Sequence, residues 1–139
     1  IEEKEFGPNH VDVAATCRRL GVVYHKKGEL ELAKDFYLRA LEIQEKRVTP
    51  NFVDVANLYH KLGELYIEER ELNMSKDLHQ QTLEIWEKQF GQYHVDVAES
   101  YNNRGIVYQK MGKLHLAKIC HRRALEIQIM LALLNLITS

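Results

Sequence analysis

Three stretches of this chain are written in one phase, 42 residues apart, and that period constrains the fold more than any other feature. Val11-Asp12-Val13-Ala14 returns as Val53-Asp54-Val55-Ala56 and Val95-Asp96-Val97-Ala98. Gly21, Gly63 and Gly105 share a phase, as do Tyr24, Tyr66 and Tyr108, and Leu41-Glu42-Ile43 returns as Leu83-Glu84-Ile85 and Leu125-Glu126-Ile127. A period in this range belongs to solenoids, whose units cannot bury their apolar faces alone and stack on their neighbours. Stacking produces an extended surface, and an extended surface suits binding.

Within a unit the spacing is helical. Ala14, Cys17, Leu20, Gly21 and Tyr24 stand three or four apart between Val11 and Lys26, so they form one apolar stripe. After Gly28 a second stripe runs from Leu30 through Ala33, Phe36, Tyr37, Ala40, Leu41 and Ile43, until Thr49-Pro50-Asn51 ends it. Each unit therefore reads as a helical hairpin. No alternating apolar pattern bounded by turn residues predicts a strand.

Asp12, Asp54 and Asp96 fall in the first turns of the leading helices, where the positive end of the helix dipole favours a carboxylate. Gly21, Gly63 and Gly105 lie inside helices at a cost of about 1 kcal/mol relative to alanine, which close approach of the paired helix would offset. Gly28 and Gly112 occupy the hairpin turn, where a left-handed residue is cheapest as glycine; the second unit has Arg70 there, so its turn is expected to differ or to carry strain.

Leu20-Gly21, Tyr24, Ala33, Tyr37 and Ala40 follow the spacing of the tetratricopeptide repeat, which this chain resembles. The long period, the run Gly7-Pro8-Asn9-His10-Val11-Asp12-Val13-Ala14, the pair Asn102-Asn103 and the Arg-Ala-Leu-Glu-Ile ending (Arg39 to Ile43, Arg123 to Ile127) look like the kinesin light chain and nephrocystin type. The resemblance covers residues 1 to about 130. It implies an all-α, right-handed superhelix of antiparallel helix pairs that recognises partner segments in a concave groove, without catalysis. In the second unit Ser75, His79 and Thr82 replace an alanine, an aromatic and an alanine, so looser packing is expected there.

In this register residues 1–6 are the end of a preceding second helix, because Ile1, Glu3 and Lys4 match Ile43, Glu45 and Lys46. Repeats follow at 7–48, 49–90 and 91–130, with an apolar extension of the last helix over 131–139. That last helix is expected from Lys113 to about Leu136. Two readings of its apolar tail stay open: it caps the third unit, or it is a self-association surface through Ile129, Met130, Leu133, Leu134 and Ile137.

Composition excludes several function classes. Lys and Arg total 19 against 20 acids, so no global field draws nucleic acid or an anionic membrane. The longest apolar stretch, Ile127 to Ile137, is interrupted by Gln128 and Asn135 and is too short to insert into a membrane. Two cysteines and no recognisable signal peptide suit a reducing, cytoplasmic setting. The register disposes of most metal candidates: Cys17 shares the phase of Tyr59 and Tyr101, and Cys120 that of Phe36 and Leu78, so both are core hydrophobes. His79 and His121 share the phase of Tyr37 and read as packed rings, while His10 and His94 stand where a leading helix begins. With no CxxC, HExxH, phosphate-cradling glycine loop or nucleophile elbow, no metal, no cofactor and no catalytic residue is expected. Tyr93, Tyr101, Tyr108 and Lys110 invite base stacking, but Tyr101 and Tyr108 lie on the buried stripe.

If Ala14, Cys17, Gly21 and Tyr24 face inward, the neighbouring face of the leading helix lines the groove. It carries Ala15, Arg18, Val22 and His25, with Arg19 and Lys26 beside them. The second unit supplies Asn57, His60, Lys61, Glu64 and Ile67; the third supplies Glu99, Asn102, Asn103, Ile106 and Gln109, with Lys110. None has a core role in this reading, and the mixture of amides, cations and small apolar groups suits an extended peptide. The resemblance implies that Asn102 and Asn103 hold a ligand's backbone, whereas Arg18-Arg19 and His60-Lys61 replace that pair elsewhere. Arg18, Arg19, Lys26 and Lys61 against Glu64, Glu68 and Glu99 favour a short acidic segment of a partner or cargo protein. A Val22 in place of the asparagine of the carboxylate-clamp relatives disfavours chaperone C-termini.

Overall fold

His10 and His94 each turn Nδ1 onto the backbone N–H two residues on, of Asp12 at 3.0 Å and of Asp96 at 3.1 Å, and a helix starts behind each. Asn51 does the same work with Oδ1, which accepts from the N–H of Asp54 at 3.1 Å. These caps, with an aspartate in every first turn, begin the three leading helices. The computed structural model describes residues 10–138. The expectations for residues 1–6 and for Gly7, Pro8 and Asn9 lie outside them.

Among the described residues there are six helices and no strand: α1 Val11–Lys26, α2 Leu30–Glu45, α3 Phe52–Glu68, α4 Leu72–Phe90, α5 Val95–Lys110 and α6 Leu114–Thr138. The all-α expectation holds, and α1 spans the predicted residues. Helix α6 begins one residue later and runs two residues further than its expected limits.

The chain forms two compact units, Ile1–Leu65 and Tyr66–Ser139, whose boundary falls within α3. In the first, α1 lies along α2, and Ala14, Cys17, Ala33, Tyr37 and Ala40 are buried between them. Leu20, placed on the stripe by spacing, is instead 38% exposed, because the stripe's edge turns away from α2. Val55, Leu58 and Leu62 of α3 complete this core. In the second unit α5 lies between α4 and α6, and its Val97 and Val107 are buried, as are Leu83, Trp86, Ala117, Ala124 and Ile127.

Two of the helix glycines are explained by what lies over them. A Cβ on Gly21 would stand 2.5 Å from the Tyr37 ring, and one on Gly105 would stand 2.6 Å from His121 Nε2. Rings of α2 and α6 thus rest on bare backbone of α1 and α5, and that approach offsets the helix penalty.

The hairpin turns are three copies of one device. The N–H of Glu29, Glu71 and Lys113 donates to the carbonyl five residues back, of Tyr24, Tyr66 and Tyr108, at 2.9, 2.8 and 2.8 Å. This six-to-one bond is the Schellman closure, and it needs a left-handed residue before the donor. Gly28 at φ 81° and Gly112 at φ 77° meet the need freely; Arg70 adopts φ 61°. The middle turn therefore does not differ. It keeps the geometry and carries the strain.

The looser packing expected for the second repeat is not seen in its burial: Ser75, His79 and Thr82 are as enclosed as their counterparts Ala33, Tyr37 and Ala40. The hydroxyls are small, and Thr82 Oγ1 donates to the carbonyl of Leu78 at 2.9 Å, so burial leaves that hydroxyl satisfied.

Candidate functional site

In the first unit the candidate residues lie on α1 and α3. Arg18, Val22 and His25 are half-buried and Lys26 is exposed on α1; Asn57, His60 and Lys61 are half-buried and Glu64 is exposed on α3. A small cavity of about 30 Å³ lies between Val11, Ala14, Ala15 and Arg18 of α1, Gln44 of α2, and Asp54 and Leu58 of α3. Its volume suits a single water, not a peptide side chain. What it does is bring the Arg18 cation to the foot of α3.

Arg18, Lys26 and Lys61 make no ion pair among the described residues, whereas Glu64 stands 3.2 Å from His60 Nε2. Glu64 also bears on Tyr37, whose phenol is pushed up to about 12 by burial first and by the Glu64 carboxylate second. On this face the groups differ in their ties. Its cations are unpaired, but its carboxylate is tied to the protein.

Gln44 was not foreseen. Buried on α2, it donates from Nε2 to Asp54 at 3.4 Å and accepts at Oε1 from the backbone N–H of Asn51 at 3.1 Å and from Arg47 at 3.2 Å. It joins the end of α2 to the start of α3 and so fixes the edge on which Arg18 sits.

In the second unit Glu99, Asn102, Asn103, Ile106 and Gln109 run along α5, with Glu99, Ile106 and Gln109 exposed and the two asparagines half-buried. Here two of these groove candidates also bond to a neighbouring helix. His121 of α6 lies across Gly105, with Nδ1 2.8 Å from Asn102 Oδ1 and Nε2 2.9 Å from Gln109 Oε1. The ring is not simply packed in place of Tyr37. Both its nitrogens are engaged by candidate groove amides, and the amide nitrogens of Asn102 and Gln109 donate to no described group. A sequence signal existed: at the phase of His121, Asn102 and Gln109 the first repeat has Tyr37, Arg18 and His25 and the second has His79, His60 and Ile67, so only the third repeat combines an imidazole with two amides.

Other side chains near the candidate face have structural work. Phe90 stacks on Trp86 at 5.4 Å and on His94 at 4.2 Å, an aromatic column at the start of α5 that sequence spacing did not reveal. Arg123 donates to Gln92 at 3.3 Å and lies 5.5 Å over the Tyr93 ring, holding the α4–α5 connection against α6. Both cysteines are buried and unbonded, and burial raises the Cys120 thiol, which makes it a poor nucleophile. Among the described residues no group of three or more His, Cys, Asp or Glu is placed to hold a metal ion, and no helix is long and apolar enough to cross a membrane.

The apolar residues of the α6 end are open. Ile129, Met130, Leu133, Leu134 and Ile137 are all exposed, and Leu125 is 55% exposed where its counterparts Leu41 and Leu83 are buried.

The chain is similar to BtubC (BKLC) from P. vanneervenii, with 26% identity and a TM-score of 0.83 over 94% of this chain and 52% of that structure. It thus spans about half the length of that relative. It is similar in fold to a Podosopora anserina putative kinesin light chain with nearly identical TPR-like repeats, at 20% identity and a TM-score of 0.75 over 91% of this chain and 60% of that one. The N-terminal domain of stress-induced protein-1 from C. elegans gives 21% identity and a TM-score of 0.68 over 84% and 85%. No curated protein matches the sequence at a significant level. The family model of the tetratricopeptide repeat matches residues 1–46 and 54–129. With its helical hairpins, its repeated Schellman turns and this match, the chain belongs to the tetratricopeptide repeat family.

Proposed function

We propose that the chain is a non-catalytic adaptor module that binds a short acidic linear segment of a partner protein. The family fold points to a protein-interaction scaffold. The observation that carries the finer reading is the set of cations on the first unit that make no ion pair among the described residues, Arg18 and Lys26 on α1 and Lys61 on α3. The second unit, taken by itself, offers amide donors at Asn102 and Gln109 that no described group accepts. Cations answer carboxylates, and amides answer a peptide's carbonyls. Exposed ion pairs give about 0 to 1 kcal/mol each and hydrogen bonds about 1 kcal/mol, so affinity in the micromolar range is expected.

Calorimetry with an end-blocked, glutamate-rich peptide carrying one leucine tests this. Arg18→Glu combined with Lys61→Glu should weaken binding at least tenfold, and unchanged affinity rejects the basic face.

The exposed α6 end favours a second reading, an assembly element that associates with its own copies through Ile129, Met130, Leu133, Leu134 and Ile137. Light scattering on the same samples decides it. Concentration-dependent mass that vanishes on replacing Ile129 and Leu133 by serine supports association; a strict monomer at high concentration rules it out.

A further inference from the structure

We propose that His121 is a positioning residue whose protonation sets the hydrogen-bond polarity of the α5 face, turning Asn102 and Gln109 into paired donors for an acidic ligand. The inference rests on the peptide-binding reading and goes further, naming what selects the ligand at the second unit.

The chemistry follows from donor counting. His121 presents Nδ1 to Asn102 Oδ1 at 2.8 Å and Nε2 to Gln109 Oε1 at 2.9 Å. A neutral imidazole donates from one nitrogen and accepts at the other, so it serves one amide oxygen and obliges the other amide to turn its NH2 group inward. The imidazolium donates from both nitrogens and serves both oxygens at once. In that state the two amides present only N–H groups outward, on a half-buried Asn102 and an exposed Gln109. Four N–H donors one helical turn either side of Gly105 match carboxylate and carbonyl oxygens. In the neutral state one amide shows an oxygen instead, and that oxygen repels the same ligand.

Gly105 makes the arrangement available. Any Cβ there would meet the ring at 2.6 Å, so only a glycine lets the imidazole lie low enough to reach both amides. The groups α5 turns toward the ring are those two amides. The charged side chains within about one turn along the chain of Asn102, Gln109 or His121 are Glu99, Arg104 and Lys110 on α5, Lys113 in the turn, and Lys118, Arg122 and Arg123 on α6, while the ring nitrogens meet Asn102 and Gln109. The first unit lacks the device: Tyr37 covers Gly21 there, between Arg18 and His25.

The test has a part that needs no ligand. In the ligand-free chain, the NMR signals of the Asn102 and Gln109 side-chain amides should move together with those of the His121 ring when the pH is swept between about 5 and about 8. In His121→Tyr, which copies the first unit and should fold, they should stay still. Amide signals that ignore the ring in the wild-type chain overturn the proposal. Calorimetry with the glutamate-rich peptide then reads the consequence: affinity should rise about fivefold to tenfold from the upper to the lower end of that range, and His121→Tyr should lose most of the rise. A pH profile equal in both chains overturns the selection of an acidic ligand by His121. If the peptide does not bind at any pH, the peptide reading fails, and the amide titration still decides what the ring does to Asn102 and Gln109.

Discussion

The first and second units place a ring over a helix glycine in the same way and put that ring to different use. Tyr37 over Gly21 is 1% exposed, and its phenol feels only burial and the Glu64 carboxylate. His121 over Gly105 is half-buried and holds two amides of the outward face. One backbone register therefore serves as a core contact at one place and as a link between core and surface at another. The lesson concerns repeats generally: shared phase predicts where a side chain lies, and its chemistry decides what it does there.

Substituting the glycines gives the largest effect. In Gly21→Ala the new methyl meets a rigid, enclosed ring, and the overpacking cost exceeds the gain of about 1 kcal/mol in helix propensity. A net loss of about 2 kcal/mol is expected in urea denaturation. Gly105→Ala should cost less, about 1 kcal/mol, since the half-buried His121 swings aside and gives up its amide contacts. Equal losses would mean that the two rings are equally confined, and the contrast drawn above would fail.

The rings also differ in how pH reaches them. The Tyr37 phenol is raised from 10.0 to about 12 in the folded chain, so its proton leaves the unfolded state more easily. Its stabilising contribution is complete below about pH 10 and is lost as pH climbs through about 12. Thermal unfolding followed across that window should show a decline that Tyr37→Phe makes shallower. Part of the slope should survive, because burial and Glu45 also raise Tyr59. An unchanged slope would show that the Tyr37 hydroxyl is not confined as its burial implies.

Most of the fold was legible in the sequence, because local rules and the period agreed. Spacing of three and four placed α1 at Val11–Lys26, and the shared phase of Cys17 with Tyr59 and of Cys120 with Phe36 marked both thiols as core. The candidate site was legible only in outline. Its faces, on α1 and α3 in the first unit and on α5 in the second, follow from which stripe is buried, but the tie between Glu64 and His60 and the reach of His121 to two amides are side-chain geometry. The register worked against the second of these, since assigning His121 to the phase of Tyr37 implied a packed ring. Gln44 and the Trp86–Phe90–His94 column escaped for the same reason: both join consecutive helix pairs, where periodicity within one helix says nothing.

The smallest effect separates the middle turn from its two neighbours. Arg70 holds φ 61° where Gly28 and Gly112 hold 81° and 77°, with the same six-to-one bond across each turn. A left-handed residue with a Cβ costs about 1 to 2 kcal/mol, and glycine returns part of that through the greater freedom of its unfolded state. Arg70→Gly should therefore stabilise the chain by about 0.5 to 1 kcal/mol, read as a raised midpoint of thermal unfolding, and Gly28→Arg should lower it by a similar amount. The arginine stands on an open cleft of about 340 Å³ with Ile67, Glu68, Leu72 and Lys110, so the strain keeps a guanidinium at that rim. If Arg70→Gly leaves the midpoint unchanged, contacts of the arginine side chain in that cleft offset the strain, and the middle turn is as relaxed as the two that carry glycine.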